Sequence, residues 1–267
     1  MIYQISKMAY TVLDLFNSSI NLESATIFNY FESKISLSDL KNNFDIQIND
    51  FQLLLNNSID SSNFECIQKI TDFIVNEYPN SDFSNYLIKA AKLGHVKVCQ
   101  FFIDRKVTLN ESKILQNYQY FLIGNEKFIQ SLINCFNSNT KENLSKQFLK
   151  KSIKIGKKDI VDLLISKDLL NKEALFDAVK SRDICIVDKV LQFNDKPWFI
   201  NQISKNGSAL CIAVSNNDIE IVQRLLKLDK INVNLYEQTN GETPLTLAIS
   251  RHYIEIAKML IAYPNTD

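Results

Sequence analysis

Glycine and proline are scarce in this chain of 267 residues, with five and four copies. Tight turns and sheet-rich folds draw on both, so their scarcity argues against an all-β protein. No stretch approaches the roughly 18 consecutive apolar residues of a membrane span. The opening residues, Met1-Ile2-Tyr3-Gln4-Ile5-Ser6-Lys7-Met8, lack the compact apolar block of a secretory signal. Net charge is missing too. Thirty Lys and Arg balance thirty Asp and Glu, so no global field draws the chain to nucleic acid or an acidic membrane. The five cysteines (Cys66, Cys99, Cys135, Cys185 and Cys211) are odd in number and widely spaced. That pattern argues against a disulfide frame or a zinc site. It suits reduced thiols in a cytoplasmic or nuclear protein, with export by a signal-independent route left open.

Catalytic signatures are absent as well. There is no phosphate loop, dinucleotide fingerprint or Ser-His-Asp arrangement. Asp218-Ile219-Glu220-Ile221 reads as the start of an amphipathic helix with its polar residues outward, not as a metal site. No catalytic, cofactor-binding or metal-ligating residue is assigned, and no cofactor is expected.

What the chain does have is a phrase written twice. Gly207-Ser208-Ala209-Leu210-Cys211-Ile212-Ala213 is followed by Asp218-Ile219-Glu220-Ile221-Val222 and Leu225-Leu226. Gly241-Glu242-Thr243-Pro244-Leu245-Thr246-Leu247-Ala248 is followed by Tyr253-Ile254-Glu255-Ile256-Ala257 and Leu260-Ile261. Ala213 and Ala248 are 35 residues apart, a period that signals a repeat array. Carried backwards, the Ala position falls on Ala178, Ser152, Tyr120, Ala90 and Ser58.

Three further columns agree with that alignment. Three residues before the Ala position stand Leu55, Leu87, Asn117, Leu149, Leu175, Leu210 and Leu245. Eight to nine residues after it come apolar pairs such as Ile160-Val161, Ile186-Val187 and Ile221-Val222. Four residues further on come Leu132-Ile133, Leu164-Ile165, Val190-Leu191 and their equivalents. Gly94, Gly124 and Gly156 all fall four residues after the Ala position, where a turn needing positive φ is predicted. Gly207 and Gly241 each follow an asparagine and predict Asn-Gly turns. Asn63, Asn125, Asp183 and Asp218 follow the turn directly and suit N-caps.

Each unit therefore reads as helix, tight turn, helix. Repeats are placed near 51–83, 84–113, 114–145, 146–171, 172–204, 205–238 and 239–267. Residues 1–50 do not repeat and read as a helical segment covering the first unit. Met8, Val12, Leu13, Leu15 and Phe16 share one helical face there, as do Ile27, Phe28, Tyr30 and Phe31. Ser38 and Asn49-Asp50 are the predicted helix starts.

Thr243-Pro244-Leu245-Thr246-Leu247-Ala248 resembles the T-P-L-H-x-A signature of ankyrin repeats, with Thr246 where histidine is usual. Gly94-His95-Val96-Lys97-Val98 and Ile231-Asn232-Val233-Asn234 are also similar to family elements. The likeness is strong over 174–267, fair over 85–173 and weak before residue 85. It implies an all-α solenoid of about seven stacked helix-turn-helix repeats with a helical N-terminal cap. The segment Ser166–Glu173 is too short for a projecting hairpin. Under this arrangement, repeat steps of about 8–10 Å hold His95 and His252 too far apart for a shared site.

Ankyrin proteins bind partners with hairpin tips and with the concave positions of the first helices. The matching residues are Lys180, Ser181, Lys205, Asn206, Ser215, Asn216, Thr239, Asn240, Glu242, Ser250 and Arg251. They are polar and mixed in sign, which implies a protein partner in preference to a lipid, a small-molecule substrate or nucleic acid. The implied role is a non-enzymatic scaffold or adaptor. The alternative is a targeting arm for an activity outside this chain. The rather apolar Met259-Leu260-Ile261-Ala262 at the end of the last helix carries that alternative, through a missing repeat or a fragment. A lysine-rich stretch at 141–172, including Lys150 and Lys154, reads as a solvated helix face. Its other reading is a patch for an acidic partner or a phosphate backbone. With only Phe148 as an aromatic, stacking on bases is not supported there.

Overall fold

A left-handed residue recurs at the same place in most of the helix pairs. Ser62, Gly94, Gly156, Arg182, Asn217 and His252 all have φ between 54° and 79°. Each stands four residues after the Ala position, so the turn register predicted from the repeats is the observed one. The exception is Gly124, whose φ is −77°.

The protein is described here by a computed structural model covering residues 12–20, 25–44, 46–167, 173–236 and 241–264. Met8, Thr239 and Asn240, with most of the short Ser166–Glu173 connection, lie outside these residues. Three helices come first: α1 (12–20), α2 (Ala25–Lys34) and α3 (Leu37–Phe44). The pairs α4 (Ile48–Asp60) with α5 (Phe64–Glu77) and α6 (Ser84–Lys92) with α7 (Val96–Asp104) follow. Next come α8 (Glu111–Gln116), a 3-10 helix η1 (Tyr118–Ile123) and α9 (Glu126–Asn134). Then α10 (Ser138–Ile155) pairs with α11 (Lys158–Ser166), and α12 (Ala174–Ser181) with α13 (Ile184–Phe193). A short α14 (Pro197–Ile200) leads into a hairpin of β1 (Ile203–Ser204) and β2 (Gly207–Ser208). The last pairs are α15 (Ala209–Ser215) with α16 (Ile219–Leu226) and α17 (Pro244–Ser250) with α18 (Ile254–Ile261). Among the described residues the chain is thus all-α apart from that two-stranded hairpin. No described helix is long and apolar enough to cross a membrane.

The chain divides into two compact units, residues 1–141 and 142–267. Within the first, α4 packs on α6, and α6 on α8 and η1, while α5 packs on α7 and α7 on α9. α2 and α3 lie against α5. Within the second, α12 packs on α15 and α15 on α17, while α11, α13, α16 and α18 follow one another. First helices thus contact first helices and second helices contact second helices, which is how a repeat shares its core with its neighbours.

The core consists of the repeat columns. Ile67, Ile129, Ile160, Val161, Ile186, Val187 and Val222 are fully buried, and Ile256 is too. Ala90, Ala178, Ala213 and Ala248 are fully buried, as small residues must be where two helices approach closely. Ser58 and Ser152 occupy that column equally buried. Ser58 Oγ donates to the Leu54 carbonyl at 2.8 Å. Ser152 Oγ is buried and finds no partner among the described residues.

The third repeat departs from the prediction. Asn117 and Tyr120 stand in the Leu and Ala columns, and a tyrosine cannot enter a slot shaped for a methyl group. The helix breaks at Asn117, a 3-10 turn follows, and Ile114, Phe121 and Leu122 supply the buried contacts instead. Gly124 is extended, so it serves close approach, not positive φ. A Cβ there would lie 2.1 Å from Cδ1 of Phe128.

The N-terminal helices also differ in detail. α3 starts earlier than Ser38, because Ser36 and Asp39 form a reciprocal cap: the Asp39 amide donates to Ser36 Oγ, and the Ser36 amide and hydroxyl donate to Asp39 Oδ2. α4 starts ahead of Asn49, where the Gln47 amide donates to Asp50 Oδ2 at 3.1 Å. Leu13, Phe16 and Phe28 are buried, but Leu15, Ile27 and Tyr30 are exposed, so the apolar stripe is narrower than predicted.

Candidate functional site

The second helix of each pair is oriented by the residue just past the turn. Asn63 accepts from the Cys66 amide, Asn125 from Phe128, Asp183 from Cys185 and Ile186, and Asp218 from Ile221. All four are N-caps, as their position after the turn requires. Burial opposes ionisation at Asp183, but Lys158 and the two amide donors outweigh it and hold the carboxyl below its ordinary range. His95 caps α7 without a side-chain bond to it, and its Nε2 lies 2.9 Å from Ser62 Oγ. Among the described residues no group of three or more His, Cys, Asp or Glu is placed to hold a metal ion.

With the turns settled, the C-terminal ends of α12, α15 and α17 are presented in successive repeats. Lys180 and Ser181 end the first of these. Ser215 and Asn216 end the second, and Ser250 and Arg251 the third. Arg251 joins two of these ends directly: its Nη1 donates to Ser215 Oγ at 2.9 Å and to the Ser215 carbonyl at 3.0 Å. Ser250 Oγ donates to Glu242 Oε1 at 3.1 Å. Lys180, Ser250 and Arg251 are exposed, and Ser181, Ser215, Asn216 and Glu242 are half-buried.

Lys205 and Asn206 form the tip of the β1–β2 hairpin, both exposed. Ser204 pairs with Gly207, and Gly207 takes φ 88° to close the turn. The next connection is tied down by Asn201, which donates to the Lys230 carbonyl and accepts from the Asn232 amide, each at 2.8 Å. Ile231 and Val233 are buried beside it. The Cys211 thiol donates to the Leu235 carbonyl at 3.1 Å.

The hairpin tip and α12 also wall a groove of about 920 Å³ with α10. Lys150 and Lys154 project into it from α10, Asp177 and Lys180 from α12, and Lys205 from the tip. Asp177 was not singled out from the sequence. Of the lysines around it only Lys180 is local; Lys150 and Lys154 lie 27 and 23 residues earlier and Lys205 lies 28 later.

Residues 175–267 match the family model described as ankyrin repeats (3 copies). Comparison with curated proteins finds no match. The matched segment contains the pairs α12–α13, α15–α16 and α17–α18, with the buried alanines, left-handed turns and capped second helices described above. Ankyrin repeats generally mediate protein–protein interaction. Over residues 175–267 the chain is an array of ankyrin repeats.

Proposed function

We propose that this protein is a non-enzymatic scaffold or adaptor, holding a partner protein along the first helices and hairpin tips of its repeats. One observation carries the reading. The helix ends Lys180–Ser181, Ser215–Asn216 and Ser250–Arg251 recur one per repeat as polar residues that add nothing to the core. A solenoid leaves such positions free to suit a partner while the stacking residues stay constant. Residues 1–50 act in this reading as the cap of the first repeat, with the array running over 51–267.

The test is joint substitution of Lys180, Asn206, Asn216 and Ser250 by alanine, with crosslinking mass spectrometry in the source cell. Loss of a captured partner at unchanged melting temperature supports the reading. Recovery of no partner by the unaltered protein sinks it.

A second reading, a targeting arm for an activity outside residues 1–267, draws on the last helix pair. Ile249, Ile254 and Ile261 are 56%, 68% and 65% exposed there. Val214, which matches Ile249 one repeat earlier, is fully buried. A full-length transcript ending at Asp267 would remove this second reading.

A further inference from the structure

The groove between α10, α12 and the β1–β2 tip has an uneven charge distribution. Lys150, Lys154, Lys180 and Lys205 face two carboxylates, Glu173 and Asp177. Elsewhere in this unit three basic side chains of the second helices are matched by carboxylates. Lys158 pairs with Asp183, Lys189 with Asp162, and Arg224 with Asp188. The four groove lysines form no ion pair among the described residues. All four are exposed, so holding them near one another costs little until something is bound.

Asp177 supplies the second element. Asp177 lines the groove, and its Oδ2 is buried and accepts no hydrogen bond among the described residues. Burial raises the Asp177 carboxyl above its ordinary value, and Lys150 and Lys180 pull in the opposite direction. A buried acceptor without a donor is costly. A ligand that completes the groove brings negative charge to the surrounding ammonium groups and an N–H or O–H to the Asp177 carboxylate, whose buried oxygen becomes reachable as the side chain turns toward the groove.

We propose that this groove binds an extended acidic segment of a partner protein, its Asp or Glu side chains on Lys150, Lys154, Lys180 and Lys205 and a backbone amide donating to Asp177. The proposal deepens the scaffold reading and rests on it. A peptide satisfies both halves of the site because each residue carries a neutral N–H beside an ionisable side chain. A phosphate backbone satisfies only one half, since it presents charge without a donor and meets the Asp177 carboxylate head on. Ile203, 40% exposed at the rim, offers an apolar contact that a peptide side chain can use.

The experiment titrates a fluorescein-labelled oligo-glutamate peptide into the full chain and reads anisotropy. Parallel titrations use a phosphoserine peptide and single-stranded DNA of matched length. Reversing Lys150, Lys154 and Lys180 to Glu weakens the glutamate peptide about tenfold, because several exposed pairs are lost together. The same reversals at Lys227, Lys230 and Lys258, outside the groove, leave it nearly unchanged.

Asp177 gives the sharper comparison. Asp177→Leu removes a negative charge, so simple charge attraction predicts tighter binding. The proposal predicts weaker binding, because the acceptor is gone. Asp177→Asn keeps an acceptor and retains the affinity. Melting curves confirm that each variant is folded. Equal losses from the groove and control sets overturn the proposal. So does tighter binding by Asp177→Leu, or a groove-dependent preference for DNA or phosphopeptide. If the Lys180, Asn206, Asn216 and Ser250 substitutions abolish partner capture but the Lys150 and Lys154 reversals do not, the scaffold reading stands and the acidic-segment proposal falls.

Discussion

The ring of Phe128 fills the space in which a side chain at Gly124 would begin. Phe128 is buried at the start of α9, so the ring cannot swing aside without opening the core of the third repeat. Gly124→Ala is expected to destabilise the protein by about 1–3 kcal/mol, the usual cost of forcing extra volume into a packed interior. Gly94→Ala meets nothing within 4 Å and costs only its left-handed φ of 79°, about 1 kcal/mol. Urea denaturation of the two variants separates steric from conformational roles for glycine. Equal losses would contradict the assignment.

Ser152 and Ser58 occupy equivalent buried positions with different hydrogen bonding. Ser152→Ala removes a buried hydroxyl that has no partner among the described residues and improves helix propensity. A gain of about 1 kcal/mol is expected. Ser58→Ala gains the same propensity but gives up the bond to Leu54, so its change stays within about 0.5 kcal/mol. Thermal melts decide the order of the two.

Asp183 predicts an acid-labile contribution. Its folded pKa lies below the unfolded value, so ionisation favours the fold. That stability is present above the ordinary carboxylate pKa of about 3.9 and is lost as the pH falls through the lower folded value. Asp183→Ala is expected to cost about 1 kcal/mol at pH 7, the usual worth of an N-cap. The gap between variant and parent should shrink at strongly acidic pH. A gap independent of pH would show that the ion pair with Lys158 and the charged cap contribute nothing.

The cysteines predict an order of alkylation. Cys185 and Cys135 are exposed, whereas Cys66, Cys99 and Cys211 are buried. Burial pushes the Cys66 and Cys99 thiols up to about 12, which suppresses the reactive thiolate. Burial around the sulfur of Cys135 also raises its pKa, and its thiol donates to the Ser131 carbonyl at 3.2 Å. Iodoacetamide followed by mass spectrometry should label Cys185 first and Cys135 next, with the other three labelled only on unfolding. Early labelling of Cys66 or Cys99 would mean that their repeats open readily.

Much of this architecture could be read from local spacing. Asn63, Asn125, Asp183 and Asp218 are N-caps because a short polar side chain just past a turn reaches the free amides of the next helix, whatever surrounds it. The left-handed turn at 62, 94, 156, 182, 217 and 252 follows from its fixed distance to the Ala position. The third repeat was misread at Gly124, since a glycine can mark either positive φ or close approach. Only the place of the Phe128 ring distinguishes them. The helix starts at Ser36 and Gln47 were missed by two or three residues because the competing caps Ser38 and Asn49-Asp50 stand beside them.

By itself, then, the sequence determined the repeat period, the buried columns, the turns and most of the caps. Each depends on hydrogen-bonding reach and apolar periodicity within a single helix pair. Tertiary structure alone decided which polar residues meet: Arg251 with Ser215, and Lys150, Lys154, Lys180 and Lys205 around the buried oxygen of Asp177. Apart from Asp177 with Lys180 on α12 and Lys150 with Lys154 on α10, those residues come from different repeats. Their proximity depends on how one helix pair seats against the next, and no spacing within a single pair encodes that.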